Sequence, residues 1–191
     1  VDFVAVEVHG PGVGSLLNRI EAEGLANLRV IRHDALDVLE HMVGDGSLAA
    51  IHLFFPDPWP KKRHHKRRLV QPAFAALAAR KLAPGGVIHA ATDWPDYADW
   101  MAQVFSQQGL LEKADRGLTP KPVTKFEARG KRLGHPIREL FFRRGNEPLV
   151  DARAINWEIT GDGEWHDIYV PIDNAEWRGT INGLRFDPIN P

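Results

Sequence analysis

The sequence predicts an α/β fold with a parallel sheet, followed by a short β-rich tail. Up to about residue 144, short apolar runs rich in β-branched residues alternate with helical apolar patterns, and this alternation is typical of βαβ units. From Asn146 onward the helical periodicity stops, and tryptophans and glycines punctuate short strand-like runs. The expected units are therefore an α/β domain over 1–145 and a tail over 146–191. The tail is too short to bury a good core alone.

The predicted elements follow one another in a regular order. The strands are expected at 3–8, 28–31, 47–55, 87–91 and 139–143, each a short apolar run. The helices are expected at 13–23, 35–43, 70–82 and 95–107, where apolar positions recur at helical spacing, with a short helix or ordered basic segment at 126–133. Gly24, Gly44 and Pro84-Gly85-Gly86 end the first three helices. Gly10-Pro11-Gly12 is predicted to be a turn and 118–125 a loop.

Composition narrows the possible functions. The 191 residues carry a net charge of −1 and no cysteine, which excludes disulfides, thiolate metal sites and a cysteine nucleophile. No apolar run approaches the length that spans a membrane. The charge is unevenly distributed, because basic residues cluster over 61–68 and again over 129–144. A near-neutral total therefore does not argue against a nucleic-acid partner, whose binding depends on the local field.

The most informative stretch runs from Ile51 to Leu69. An apolar strand is broken by the sequence PDPWP at 56–60, which a basic run follows at 61–68. Asp57 and Trp59 should therefore lie just beyond the carboxyl end of a strand, where open α/β sheets bind ligands. A carboxylate, an aromatic ring and a row of cations together suit a base attached to a phosphate backbone. The alternative is a proline-rich turn followed by a solvated basic loop.

Acidic residues recur at predicted strand ends, at Glu7, Asp34, Asp57 and Asp93. In a parallel sheet these ends share one edge, so the four side chains should converge on one crevice. Glu7 suits a pair of ribose hydroxyls, and Asp34 suits an exocyclic adenine amine. Asp34 alternatively caps the helix that begins at Ala35. A metal site is less favoured, because no metal-ligand spacing is present.

Several motifs together resemble a known family. They are Val6-Glu7-Val8-His9, His33-Asp34-Ala35, Phe54-Phe55-Pro56-Asp57-Pro58-Trp59, Lys66-Arg67-Arg68, Ala91-Thr92-Asp93-Trp94, Thr124-Lys125-Phe126-Glu127 and Arg132-Leu133-Gly134-His135. In this order and spacing, over about 1–144, they resemble the bacterial tRNA (guanine-N7-)-methyltransferases. The combination of the proline-flanked Asp57, the basic run and the later Thr-Lys-Phe-Glu segment makes the resemblance specific.

The resemblance implies a cytoplasmic S-adenosylmethionine-dependent enzyme with a Rossmann-like methyltransferase fold, which acts on tRNA without a metal. Asp57 would be the catalytic residue between the cofactor and guanine, and Glu7, Asp34 and Asp57 would bind the cofactor. The substrate-binding positions implied are Lys61, Asp93, Thr124, Lys125, Phe126 and Glu127. The RNA-binding positions implied are Arg63, His64, His65, Lys66, Arg67 and Arg68.

The sequence also departs from this family. Its members carry a first strand and a glycine-rich turn of the E-x-G-x-G type before the Glu7 strand, and this chain lacks both. That strand is central in the family's sheet, so its absence would leave two open edges between the Glu7 and Ile51 strands. We therefore expect a family member truncated at its start and joined to unrelated sequence at its end. We also expect it to bind S-adenosylmethionine poorly.

Three functions remain open on the sequence. The first is a tRNA guanine-N7 methyltransferase. The second is a defective fragment of that family that binds RNA through 61–68 and 125–138 without methylating it. The third is a chain whose β-rich tail, which faintly resembles the closing strands of carbohydrate-binding β-sandwiches, holds a glycan. A glycine-rich strand and turn upstream of Val1 would favour the first, and binding of the tail to a glycan array would favour the third.

Overall fold

Six strands, five α-helices and a 3₁₀-helix make up the part of the chain that the structure, a computed structural model, describes, which is residues 2–115 and 123–146. The strands are β1 (Phe3–Val6), β2 (Leu28–Ile31), β3 (Leu48–Phe54), β4 (Leu82–Thr92), β5 (Leu111–Lys113) and β6 (Arg138–Arg144). The helices are α1 (Gly10–Glu23), α2 (Ala35–Met42), α3 (Pro72–Lys81), α4 (Pro95–Ser106) and α5 (Lys125–Arg132). A 3₁₀-helix (Lys62–Arg67) lies between β3 and α3.

The strands form two sheets. Strands β1 and β2 pair in parallel, and the other four lie in the order β3-β4-β6-β5. Strand β4 is parallel to β3, whereas β6 pairs antiparallel with both β4 and β5. The predicted α/β class is confirmed, but the expectation of an all-parallel sheet is wrong at β6, and β5 was not predicted. Across 2–115 and 123–146 no strand ladder joins the two sheets.

The core lies between one face of the four-stranded sheet and helices α3 and α4. Ile88 and Phe142 of the sheet pack with Tyr97, Met101 and Phe105 of α4, and all five are essentially inaccessible to solvent. Alternation along a strand sends neighbouring side chains to opposite faces. This packing fixes the carboxyl ends of β3 and β4, which Asp57 and Asp93 follow.

The other face of the same sheet carries a histidine–aromatic cluster. His89 is buried and lies 2.9 Å from Glu139 through Nε2, and its ring contacts those of His52, Phe54 and Phe141. Burial, with a further contribution from His89, lowers the pKa of His52 below its ordinary value. His89 is therefore a buried polar member of the sheet, whereas His52, beside it on the same face, is exposed.

Two local predictions need correction. The predicted turn at Gly10-Pro11-Gly12 is the first turn of α1, where proline is well placed because the first helical N–H groups have no partner inside the helix. The predicted stop at Pro84-Gly85-Gly86 lies inside β4, beside a shift in its register with β3. The helix before it, α3, ends at Lys81, one residue before its predicted end at position 82.

Two further sequence predictions concern membrane-spanning helices and the C-terminal tail. Among the described residues no helix is long and apolar enough to cross a membrane. The described residues belong to one compact unit. The predicted tail, 146–191, lies outside the described residues from position 147 onward, and its β-rich character, the boundary near 145 and its glycan-binding alternative remain predictions.

Gly86 allows β3 and β4 to approach each other closely. A Cβ atom at this buried position would lie 2.8 Å from the Ala83 carbonyl oxygen and 2.9 Å from that of Leu48. Both neighbours are backbone, so relief requires a shift of the strands. We expect Gly86→Ala to lower the free energy of unfolding by about 1–3 kcal/mol, measured by urea denaturation.

The matched control for this variant is Gly14→Ala. Gly14 lies within α1, and a Cβ there would meet no atom within 4 Å. The same substitution should therefore leave stability unchanged or raise it by about 0.5–1 kcal/mol. Equal stability of the two variants would show that the close approach at Gly86 does not constrain the sheet.

Candidate functional site

A strained turn follows β3 at 55–59. Phe55 has φ of 54° and Trp59 has φ of 42°, a left-handed conformation that bulky residues rarely adopt. Each such residue costs about 1–3 kcal/mol, and such strain persists where the surroundings impose it, frequently at functional sites. The Phe55 N–H donates to the Ala91 carbonyl at 2.7 Å, which ties the start of the turn to β4. Between the two strained residues Asp57 is exposed.

Arg68 holds the other end of the turn. Its Nε donates to the Pro58 carbonyl at 2.9 Å, and its Nη2 donates to Asp96 of α4 at 2.5 Å. Its guanidinium also lies over the Tyr97 ring, 4.8 Å from the centroid. The Arg68 hydrogen bond is the main cause that holds the pKa of Asp96 below its ordinary value. The buried Arg68 side chain therefore links the turn to the start of α4.

The basic run is an ordered 3₁₀-helix beside Trp59. Arg67 lies over the Trp59 ring at 5.1 Å from its centroid, and the His64 ring meets it edge-on at 5.8 Å. The remaining cations Lys61, Lys62, Arg63 and Lys66 are exposed. His65 is half-buried, and its carbonyl accepts from the Gln71 side chain at 2.9 Å. The run thus presents exposed cations around an aromatic ring, while Arg68, also predicted to bind RNA, is buried beneath it.

Helix α5 approaches the turn from the other side. Its Phe126 ring is 62% exposed and stacks on that of Phe55, with centroids 6.1 Å apart and planes 22° apart. Thr124 caps the helix by accepting from the Glu127 N–H at 3.1 Å, the arrangement that a Thr-x-x-Glu sequence favours. Glu127 is buried and pairs with Lys131 at 2.6 Å, while Lys125 is exposed. The Thr124–Glu127 segment therefore lies next to the turn.

Asp93 joins α5 to the end of β4. Its Oδ2 lies 3.2 Å from Nδ1 of His135. A Cβ added to Gly130 would lie 3.1 Å from Asp93 Oδ2, so this glycine permits the close packing of α5. Gly130 and His135 were not predicted as partners of Asp93. The available signal was a glycine inside a predicted helix, which commonly marks a packing contact.

Glu7 and Asp34 follow β1 and β2. Glu7 Oε1 accepts from the His9 N–H at 2.8 Å, and the start of α1 lies close to it, because a Cβ at Gly12 would be 3.5 Å from the carboxyl carbon. Asp34 Oδ1 accepts from the Leu36 N–H at 2.7 Å, which confirms the interpretation of Asp34 as the cap of α2. A carboxylate accepts up to about four hydrogen bonds, so both side chains retain capacity for a ligand.

The four carboxylates follow strands of two different sheets, and their convergence on one crevice stays a prediction. Glu7 and Asp34 follow the two-stranded sheet, and Asp57 and Asp93 follow adjacent strands of the four-stranded sheet. The expectation that all four converge on one crevice rested on a single continuous sheet, and no ladder joins the two sheets in the described part of the chain. Within 2–115 and 123–146 no cluster of three or more His, Cys, Asp or Glu side chains suits a metal ion.

The arrangement around the turn suits a flat base attached to a phosphate chain. Phe55, Trp59 and Phe126 offer aromatic faces, and base–aromatic stacking contributes about 1–3 kcal/mol per base. Asp57 offers an exposed acceptor to ring N–H and amino groups, and the 3₁₀-helix offers exposed cations to phosphates. The aromatic rings, the carboxylate acceptor and the cations all lie at the carboxyl edge of β3 and β4.

The chain is similar to proteins of known family. The family described as "Putative methyltransferase" matches residues 1–140. A tRNA (guanine-N(7)-)-methyltransferase of Neisseria meningitidis serogroup A is 58% identical over 147 residues, and that of Methylobacillus flagellatus is 53% identical. Each comparison covers 75% of this chain and 62% of the relative, so the chain spans about three fifths of the length of these relatives.

A solved structure agrees with the fold. An rRNA methylase from Streptococcus thermophilus superposes with a TM-score of 0.50 at 14% identity, covering 75% of this chain and 74% of the methylase. At this identity the likeness concerns the fold alone, and it confirms the predicted Rossmann-like α/β class. With the match over 1–140 and the identities above, the chain belongs to this methyltransferase family and carries a segment similar to the tRNA (guanine-N(7)-)-methyltransferases.

Proposed function

We propose that this protein is a tRNA (guanine-N7-)-methyltransferase, which transfers a methyl group from S-adenosylmethionine to N7 of a guanine in tRNA. The observation that carries the proposal is the strained 55–59 turn, in which the exposed Asp57 lies between Phe55 and Trp59 in the sequence, with the exposed cations of the 3₁₀-helix directly after it. Relatives at 53–58% identity bear this name. A tRNA substrate also fits a cytoplasmic location.

The residues of the turn have a direct role in this reaction. Guanine N7 already carries a free lone pair, so its methylation needs no general base. The purine gains positive charge as the new bond forms, and the fixed carboxylate of Asp57 would stabilise that charge. A carboxylate also accepts from guanine N1–H and its amino group, which adenine does not offer in that pattern. Asp57 would therefore select guanine and assist its methylation.

The neighbouring residues would hold the rest of the substrate. Phe126 would stack on the base, Asp93 and Lys61 would flank it, and Thr124, Lys125 and Glu127 would shape the start of α5 beside it. The exposed cations of the 3₁₀-helix, with His64 and His65, would contact the RNA backbone, where neutralising phosphates releases counterions. Together these groups would place N7 in line for attack, and such alignment contributes much of the rate.

Glu7 and Asp34 fit the cofactor's polar groups. Glu7 lies beside the start of α1 with acceptor capacity to spare, which suits the two hydroxyls of a ribose. Asp34 uses Oδ1 to cap α2, and its carboxylate can also accept from an adenine amine. S-adenosylmethionine supplies the methyl group when it is bound.

Substitution of Asp57 should separate methylation from binding. We expect Asp57→Ala to slow methyl transfer by about 10²–10³-fold while tRNA affinity is unchanged, because one carboxylate contributes little to binding an anion. The rate of methyl transfer from labelled S-adenosylmethionine to a tRNA transcript is measured at a high concentration of the cofactor. Asp115→Ala, at an exposed carboxylate away from the turn, is the control. Equal loss of tRNA binding and turnover would make Asp57 a structural turn residue.

The exposed cations of the 3₁₀-helix should determine the salt dependence of tRNA binding. We expect the double variant Lys66→Ala with Arg67→Ala to weaken binding, and to reduce the slope of log affinity against log salt by about 0.7–0.9 per lost phosphate contact. Replacing Arg19 and Lys113 removes the same charge elsewhere and should leave the slope nearly unchanged. Identical slopes for the two double variants would show that the basic run is only a solvated surface.

Binding of the cofactor to the 191-residue chain should be weak. Glu7 and Asp34 lie on one sheet and Asp57 follows the other, without a ladder between the sheets in the described residues. Two exposed hydrogen bonds contribute about 1 kcal/mol each, far below the roughly 8 kcal/mol that micromolar binding requires. Isothermal titration with S-adenosylmethionine measures this directly. A micromolar dissociation constant would show that the chain builds a complete cofactor site.

A further inference from the structure

Arg68 differs from every other cation of the basic run in its burial. Its side chain is 1% exposed, whereas Lys66 and Arg67, its neighbours in sequence, are exposed. A buried guanidinium cannot reach a phosphate without leaving its site. A charge is stable at such depth only when it is paired and hydrogen-bonded.

The partners of Arg68 all belong to the turn, the 3₁₀-helix or the start of α4. Its Nε–H donates to the Pro58 carbonyl at 2.9 Å, and Nη2 lies 2.5 Å from Asp96 and 3.1 Å from His65 Nε2. Its guanidinium plane also lies over the Tyr97 ring. Tyr97 is itself fixed, because its hydroxyl accepts from the Val70 N–H at 3.2 Å. The guanidinium thus connects the 55–59 turn and the 3₁₀-helix to the first turn of α4.

The bond to Pro58 acts beside one of the two strained residues of the turn. The carbonyl of Pro58 belongs to the peptide that leads into Trp59, whose φ is 42°. Strain of this kind persists only where the surrounding contacts over-determine it. The planar fork of arginine donates to Pro58 and Asp96 at once, which the single ammonium group of lysine does not reproduce.

We propose that Arg68 is a positioning residue, which orients the 55–59 turn for guanine through Pro58 and makes no contact with RNA. This role rests on the function proposed above, in which Asp57 and its aromatic neighbours hold the guanine. This role distinguishes Arg68 from Lys66 and Arg67, which carry the same charge and directly precede it in the sequence but are exposed.

The test compares tRNA affinity with the placement of guanine N7. Dimethyl sulfate methylates accessible guanine N7 atoms, so a tRNA transcript bound to the 191-residue chain reports which N7 the protein covers. The variants are Arg68→Lys, which keeps the charge, and Asp96→Asn, whose 63% exposed side chain can change without disturbing the core. The control is Asp99→Asn, which breaks the exposed pair of Asp99 with Arg138, 2.8 Å apart, on the same helix. Thermal unfolding checks that each variant is folded.

The expected result is a loss of placement without a loss of affinity. The unmodified chain and Asp99→Asn should protect one guanine N7 of the bound tRNA. Arg68→Lys should bind tRNA with unchanged affinity and salt slope, and Asp96→Asn should bind no more weakly, yet both should leave that N7 reactive.

Other outcomes would overturn the proposal in distinguishable ways. A weaker affinity for Arg68→Lys, with the same N7 still protected, would make Arg68 an RNA contact. Full protection of the same N7 by folded Arg68→Lys and Asp96→Asn would show that the turn needs no such anchor, while the proposed function stands. An unmodified chain that binds tRNA but protects no single guanine would contradict the proposed function, and the positioning role would fall with it.

Discussion

The hydrogen bond from the Arg68 guanidinium to the Pro58 carbonyl is the contact on which the candidate site depends. The turn it holds contains two bulky residues in left-handed conformations, at about 1–3 kcal/mol each. A hydrogen bond to a charged group contributes about 1.5–3 kcal/mol, which offsets most of the strain at one of them. Solvent around the exposed Asp96 screens part of its attraction for Arg68, so stacking on Tyr97 and the Phe55 bond to β4 are needed as well.

The rest of the fold supplies rigid attachment points for this turn. Strands β3 and β4 end side by side, and α4 begins directly beyond β4, so its first turn lies within reach of Arg68. Strand β6 is antiparallel to β4 and begins beside the carboxyl end of β4. Helix α5, which precedes β6, therefore lies at the same edge, where Gly130 lets it pack against Asp93. Because these elements pack on one core, their acidic, aromatic and basic groups are held on one surface.

Much of this could be predicted from the sequence, because periodicity and capping are local. The alternation of strands and helices, the cap at Asp34 and the Thr124–Glu127 cap follow from residue types at short spacing. The antiparallel direction of β6 and the burial of Arg68 could not, since both depend on partners far along the chain. Asp96 lies 28 residues beyond Arg68, and nothing in a row of cations indicates which one points inward. The PDPWP sequence predicted a break after β3, but not the left-handed residues that shape it.

In the proposed function tRNA binds at the carboxyl edge of β3 and β4, over the 55–59 turn. Amide hydrogen exchange of the 191-residue chain, with and without tRNA, tests this most directly. We expect slower exchange in the presence of tRNA at 55–60, in the 3₁₀-helix and at the start of α5, with little change in α1 and α2. Protection confined to α1, α2 or residues 147–191, with the turn unaffected, would contradict it.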